Sequence, residues 1–352
     1  MATPTNIYNT KGEKHMPTNE RPSDEFISLL KKSGDADVNV AQAAQREFAK
    51  ALELPLRKGV LVGNILGNIF ETINVEAGST TEFPLDLISP GLEGEHVAYT
   101  NPGHGRIPER SVEGDYVMIP TYAIASSVDY LLRYARDARW DVVGRAMQVM
   151  EAGFTKKMND DGWHTLLAAG VDRNILVFDG DATAGLFSKR LVSLMQTVMR
   201  RNSGGNSASA GRGRLTDLYV SPEALEDVRS WGLDQVDEVT RREIYTAPEG
   251  GAPITRIFGV NIQDLDELGE GQEYQTFLTS SNGLAGSLQA SDLELVVGLD
   301  QSASDSFVMP VKEQLQVFED PTLHRQQRVG YYGFAELGFG VLDNRRILLG
   351  SF

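Results

Sequence analysis

Between residues 143 and 158 the apolar positions Val143, Met147, Met150, Phe154 and Met158 recur at steps of four, three, four and four, the period of one helix face. They lie in a helical stretch predicted from about Asp129 to Ala168. Arg133, Arg136 and Arg139 stand three apart ahead of the stripe, a row that reads as a solvated face with local ion pairs or as a contact with another chain. A further helix is predicted over Phe187 to Arg201. Its apolar face holds Phe187, Leu191, Leu194, Met195 and Val198, and Arg200 and Arg201 in its last turn complement the helix dipole. Two shorter amphipathic helices stand near the front. In the first, Ser23 is the N-cap before Asp24, Glu25, Phe26, Leu29 and Leu30, with a stop at Gly34; the second carries Val40, Ala44, Phe48, Ala51 and Leu52. Neither can form a core alone, so each must dock on the chain's own body or on a neighbouring subunit.

The remaining apolar runs are short and read as strands. They are expected at Val60 to Asn74 beyond Pro55, Thr80 to Phe83, Val117 to Ala125, Leu218 to Val220, Ile254 to Ile262, Tyr274 to Thr279 and Leu293 to Leu299. After Val220 the sequence SPEALEDVRSWG supplies Ser221 as N-cap, Pro222 at the first helical position, Glu223 at the positive end and Gly232 as the stop, so a strand feeds a helix. The chain closes with a hairpin: Lys312 to Phe318, a turn at Glu319-Asp320-Pro321, and a long return from Arg325 to Val341. Residues 202 to 214 and 1 to about 22 have the composition of flexible segments. The fold class is α+β, without internal repeats.

Between Pro84 and Tyr116 lies a long polar excursion rich in proline and glycine, with no helical period. Loops of this length serve function or extend outward more often than they sit idle in a compact domain. Strand-like runs on both sides, 80 to 87 and 115 to 125, can pair and lead it outward as a two-stranded arm.

Composition narrows the function. The 352 residues carry 33 Lys and Arg against 49 Asp and Glu, a net charge of −16, so dominant electrostatic attraction to nucleic acid or anionic lipid is not expected. With no cysteine the chain has no disulfide, thiolate metal site or cysteine nucleophile. The opening residues lack the apolar core of a secretory signal, and the longest uncharged apolar stretch, Gly59 to Phe70, is far short of the ~20 residues that cross a bilayer. No membrane partner is expected.

Catalytic constellations fail one by one. The five histidines are scattered; His96 and His104 share the long loop, but no third ligand accompanies them. Walker A, a complete dinucleotide loop and G-x-S-x-G are absent. Asp264, Asp266 and Gly269 match positions one, three and six of a calcium loop, but Leu268 stands at position five, which needs an oxygen ligand, and Gln275 at position twelve, which needs a bidentate glutamate. The turn nevertheless sets Asp264, Asp266, Glu267, Glu270 and Glu273 within ten residues. It reads as a solvated acidic turn or as a weak cation site where copies meet around a symmetry axis. No cofactor is expected. A hydrolase using Asp160 and Asp161 is the reading from another class, and adjacent helix positions do not face one another.

The order of these features, over nearly all of the chain beyond residue 55, resembles the major capsid proteins of tailed bacteriophages of the Hong Kong 97 type. LYVSPEALEDVRSW (218 to 231) with IFGVNI (257 to 262) is similar to the family's axial-domain strand, helix and strand, and residues 325 to 352 resemble its closing segment. The resemblance implies an N-terminal arm over 1–55, an extended loop over 84–116, a spine helix over about 137–168, a peripheral domain over 56–83, 117–175 and 300–345, and an axial domain over 176–299 and 346–352. It further implies hexamers and pentamers of a virion shell, assembled in the host bacterial cytoplasm around double-stranded DNA that is enclosed but not specifically bound. The implied partners are other copies, a scaffolding protein, a portal protein and, in some relatives, a decoration protein. Arg106, Glu109, Arg110, Glu113 and the row Arg133, Arg136, Arg139 become candidate inter-subunit contacts, and the acidic turn a candidate capsomer-axis element. Some relatives lock neighbours through an isopeptide bond from a loop lysine, yet residues 84–116 contain no lysine. Non-covalent cohesion follows. An encapsulin-like bacterial compartment is the alternative shell with the same fold.

Overall fold

A computed structural model describes residues 24–35, 37–63, 65–76, 78–84, 116–181, 185–201, 213–231, 255–280, 294–302 and 306–352. The described chain divides into two compact units, cut between residues 81 and 82, 118 and 119, 162 and 163, 308 and 309, and 339 and 340.

In the first unit the amphipathic front is helical as expected. Helix α1 (Asp24–Ser33) packs on α2 (Val38–Gly63), with Phe26 and Phe48 ring centroids 4.6 Å apart. Ser23 itself lies outside the described residues. The two helices dock on the chain's own body: Phe26 meets Trp140 edge-on at 4.9 Å, and Phe48 meets Tyr331 at 5.6 Å. The expected strand from Val60 is corrected, because α2 runs through Pro55 to Gly63 and, among the described residues of that stretch, only β1 (Glu71–Asn74) is a strand. Phe48, Leu52, Leu56 and Val60 recur every four residues and are all buried, so the apolar stripe continues in register across the proline. Burial contributes about 1.5–3 kcal/mol per large side chain, which over Leu56 and Val60 offsets the ~3 kcal/mol cost of an internal proline.

The unit's sheet runs β1-β10-β11-β4, with β4 at Tyr122–Leu131, β10 at Phe307–Asp320 and β11 at Arg328–Leu337. The closing hairpin is therefore present, joined by a 3-10 turn over Pro321–Gln326. Strand β4 extends to Leu131, so the expected helix start at Asp129 is also corrected. Helix α3 (Leu132–Arg136) follows, and Ala138 in the left-handed region (φ 49°) separates it from α4 (Trp140–Asp172). Val143, Met147, Met150, Phe154 and Met158 are all buried, as their spacing requires. Gly333 of β11 admits Phe154, since a Cβ there would lie 2.7 Å from its ring.

In the second unit six strands are ordered β5-β13-β9-β6-β8-β7: β5 (Leu176–Phe178), β6 (Asp217–Val220), β7 (Thr255–Ile257), β8 (Val260–Asp264), β9 (Leu295–Leu299) and β13 (Ile347–Ser351). The two-residue β12 (Gly340–Val341) pairs with Phe307 and Val308. The single strand expected over Ile254–Ile262 is a hairpin, turning at Phe258-Gly259. Helices α5 (Lys189–Arg201) and α6 (Pro222–Ser230) bury Leu191, Met195, Ala224 and Val228 with Leu218, Val296 and Leu348 of the sheet. Gly298 and Gly350 make room for Met195, whose side chain lies within 3.0 Å of a Cβ built at either position. The strand expected at Tyr274–Thr279 is instead helix α7 (Glu273–Ser280). Its buried residues Tyr274 and Leu278 stand four apart, a helical spacing that outweighs the strand preference of the aromatic and threonine residues. Trp163, fully buried, packs edge-on against Tyr219 at 4.8 Å and beside Tyr274 at 6.1 Å.

Candidate assembly surfaces

The ends of the long excursion pair as expected. Strands β2 (Glu82–Pro84) and β3 (Tyr116–Met118) form a separate two-stranded ribbon with Glu82 opposite Met118 and Pro84 opposite Tyr116. The chain enters and leaves it at Thr81 and Ile119, where the Ile119 N–H donates to the Thr81 carbonyl at 3.0 Å and the Thr81 hydroxyl donates to the Ile119 carbonyl. Tyr116 and Met118 occupy one face and are 64% and 65% exposed, while Val117 on the other face is 36% exposed. A two-stranded ribbon with apolar groups open on both sides is marginal in water by itself. Arg106, Glu109, Arg110 and Glu113 lie outside the described residues.

The arginine row does not form one helix face, because α3 ends before Ala138. Arg136 donates from Nε to the Gly34 carbonyl at 2.8 Å and so satisfies the C-terminal end of α1. Arg133 lies over the Tyr134 ring at 5.0 Å and donates to its hydroxyl at 3.1 Å. Arg139 is exposed between α3 and α4.

The acidic turn joins β8 to α7. Leu265 and Leu268 are buried beneath it; the Leu265 N–H donates to the Val220 carbonyl and the Tyr274 N–H to the Glu267 carbonyl. Gly269 and Gly271 take positive φ, which permits the reversal. Asp264, Asp266, Glu270 and Glu273 face solvent and Glu267 is half-buried. Glu273 stands in the first turn of α7, where the helix dipole favours a negative charge. Among the described residues no group of three or more His, Asp or Glu side chains is placed to hold a metal ion.

Three polar centres escape sequence reading, two of them because their partners are far apart in the chain. The Ser221 hydroxyl accepts from the Ala224 N–H at 3.2 Å, as the N-cap pattern predicts, but it also donates to Glu294 at 2.6 Å. Burial pushes the Glu294 carboxyl up; the Ser221 bond lowers it, and Glu223, Asp227 and Glu270 nearby raise it again. Asp300 is fully buried and accepts from Gly213 N at 2.9 Å, Arg214 N at 3.2 Å and Ser302 N at 3.0 Å, anchoring the backbone at Gly213 and Arg214. Asp343 is raised by burial, yet the Arg345 Nε and Nη2 bonds at 2.8 and 2.9 Å, with the charges of Arg345 and Arg346, hold it below the usual carboxylate range.

By sequence the chain matches no family model and no curated protein. By structure it is similar to a chain of Microbacterium phage Oxtober96, with TM-score 0.52 and 12% identity over 82% of this chain and 90% of that one. It is likewise similar to the cyanophage Pam1 capsid asymmetric unit, with TM-score 0.52 and 13% identity over 80% and 88%. The head structure of Helicobacter pylori bacteriophage KHP40 gives 0.50 and 11% over 82% and 91%. At these identities the likeness speaks to the fold, and the α+β chain described above has the Hong Kong 97-type fold of capsid-protein structures.

Proposed function

We propose that this chain is the major capsid protein of a tailed phage, a structural protein whose copies form the hexamers and pentamers of an icosahedral shell around double-stranded DNA. The observation that carries the reading is the fold shared with phage head and capsid structures over four-fifths of the chain. The β2–β3 ribbon supports it: a pair of strands with Tyr116, Val117 and Met118 open to water needs a cover, and a neighbouring copy supplies one in a shell. A charge of −16 per copy, repeated over the shell, repels packed DNA and leaves it free to slide. In this reading the 84–116 loop lies across the adjacent subunit, and a separate scaffolding protein guides assembly. A portal protein and, on some shells, a decoration protein complete the particle. Cohesion is non-covalent, with Arg106 and Arg110 pairing across copies, since the loop offers no lysine amine.

The test is to express the chain with and without its neighbouring phage genes, size the product and image it by negative stain. Closed shells that enclose nucleic acid are expected, and the particles boiled in detergent should run as one band near 38.6 kDa. Shells holding a cargo protein would point to an encapsulin-like compartment. A small oligomer that never closes would remove the shell reading.

A further inference from the structure

In the second unit exposed charge is sorted to two margins of the sheet, where its central strands begin and where they end. Strands β6 and β8 are parallel, with Asp217 opposite Asn261 at one margin and Val220 opposite Asp264 at the other. The first margin is basic. Arg256 of β7 stands opposite Asn261 and donates to its side chain at 2.6 Å, and Arg214 leads into β6. Gln196 Nε2 of α5 donates to the Phe258 carbonyl at the β7–β8 turn at 3.0 Å, and Arg200 and Arg201 follow one helical turn later. All four arginines are exposed. The carboxylates at this margin are turned inward: Asp217 is buried and accepts from the Asn261 and Gln263 amides, and Asp300 is buried and accepts from Gly213 N and Arg214 N.

The opposite margin is acidic. Glu223 and Glu226 of α6, Asp264 at the end of β8, and Asp266 and Glu270 in the turn beyond it are all exposed, and none forms an ion pair with another described residue. The helix and the turn lie close together, because a Cβ built on Gly269 would stand 3.3 Å from the Glu223 carboxylate. Glu294, just before β9, sits among them: burial pushes its carboxyl up, its Ser221 bond pulls it down, and the charges of Glu223, Asp227 and Glu270 push it up again. Three residue steps of about 3.3 Å, roughly 10 Å, separate the two margins along β6, well beyond the ~4 Å of an ion pair, so they do not neutralise each other within one chain.

Each margin spans three neighbouring strands, β6-β8-β7 on the basic side and β9-β6-β8 on the acidic side, or two spacings of about 4.8 Å. Two unlike surfaces of opposite sign and equal width on one chain suit a head-to-tail contact between copies, which closes into a ring when the rotation per copy divides a full turn. A long polyanion suits the basic margin less, because the chain around it carries a net charge of −16. We infer that the basic margin at Arg214 and Arg256 of one copy pairs with the acidic margin at Glu226 and Asp266 of a second copy of this chain. The inference rests on the shell reading and specifies one contact within it. Each exposed pair is weak alone; repetition around a ring adds the pairs up, and opposite signs reject misaligned copies.

Charge reversal tests the contact. Arg214→Glu/Arg256→Glu sets acid against acid, and Glu226→Lys/Asp266→Lys sets base against base, so each double variant should need at least about tenfold more protein to form particles. The chain with all four changes should assemble near the wild-type concentration, because the pairing returns with its signs exchanged. These side chains are exposed, so unfolding midpoints should stay near wild type. The defect of the double variants should also shrink between about 0.1 M and 1 M salt, where the screening length falls from ~10 Å to ~3 Å. A defect that persists at 1 M overturns the contact. Double variants that assemble at the wild-type concentration also overturn it and leave the shell reading standing. So does a four-change chain that stays defective, the outcome expected if the basic margin met nucleic-acid phosphate instead. A wild-type chain that never forms particles removes the shell reading itself, and the contact with it.

Discussion

The two sheets of this chain solve the burial problem differently. In the second unit β6, β9 and β13 are buried at every position, because α5 and α6 cover one face and the aromatic layer of Trp163, Tyr219 and Tyr274 lies on the other. In the first unit β4 alternates between buried and exposed positions, and the outer face shows Phe318 stacked on Tyr332 at 5.4 Å, each 42% exposed. A sheet buried on both faces can meet another molecule only at its edges, whereas a sheet with one open face can offer the whole face. The contrast shows where new contacts can form without disturbing a core.

The largest expected effect lies in the doubly buried sheet. Leu348→Ala removes a fully buried side chain and should destabilise the fold by about 2–5 kcal/mol, whereas Phe318→Ala, which deletes more atoms from an open face, should cost under about 1 kcal/mol. Denaturant melts of the two variants check it. Equal losses would mean the faces are not different in the way described.

Next in size is Asp300→Ala, which strips the partners from Gly213 N and Arg214 N and should cost about 2–4 kcal/mol. Amide exchange at those two positions should accelerate more than at α5. Uniform acceleration would show that Asp300 is not a local anchor.

The smallest effect is a pH dependence with two opposite signs. Because the folded state raises Glu294, its contribution to stability is fully present below the ordinary glutamate range and is lost as pH rises through the raised value. Asp343 is depressed, so its contribution is present above the ordinary aspartate range and is lost as pH falls through the lowered value. Glu294→Gln keeps an acceptor for Ser221 and should flatten the first slope while leaving the second. Thermal melts across the acid range would refute this if the variant kept the wild-type profile.

Much of the architecture was legible because it depends on local spacing. The buried stripe of α4, the cap at Ser221, the closing hairpin and the pairing at the base of the 84–116 loop all follow from periodicity or from turn and cap chemistry within a few residues. Errors came where tertiary packing outweighed a local rule. Pro55 sits inside α2 because the stripe through Leu56 and Val60 stays buried, and Tyr274 is helical because it shares a buried face with Leu278. Phe258 escaped notice because phenylalanine carries no turn signal.

The sequence by itself determined the class of the protein: an acidic, cysteine-free α+β chain with amphipathic helices, a long excursion between pairing strands, and no catalytic signature. These are properties of composition and short-range order, and they survive without knowledge of neighbours. Only the tertiary structure decided that the front helices dock on the chain's own sheet, that Glu294 meets Ser221 and Asp300 meets Gly213, and that Phe258 and Phe178 stand at opposite edges of one sheet. Such contacts join residues tens to hundreds of positions apart, and their energies exist only after the chain has closed the loops between them.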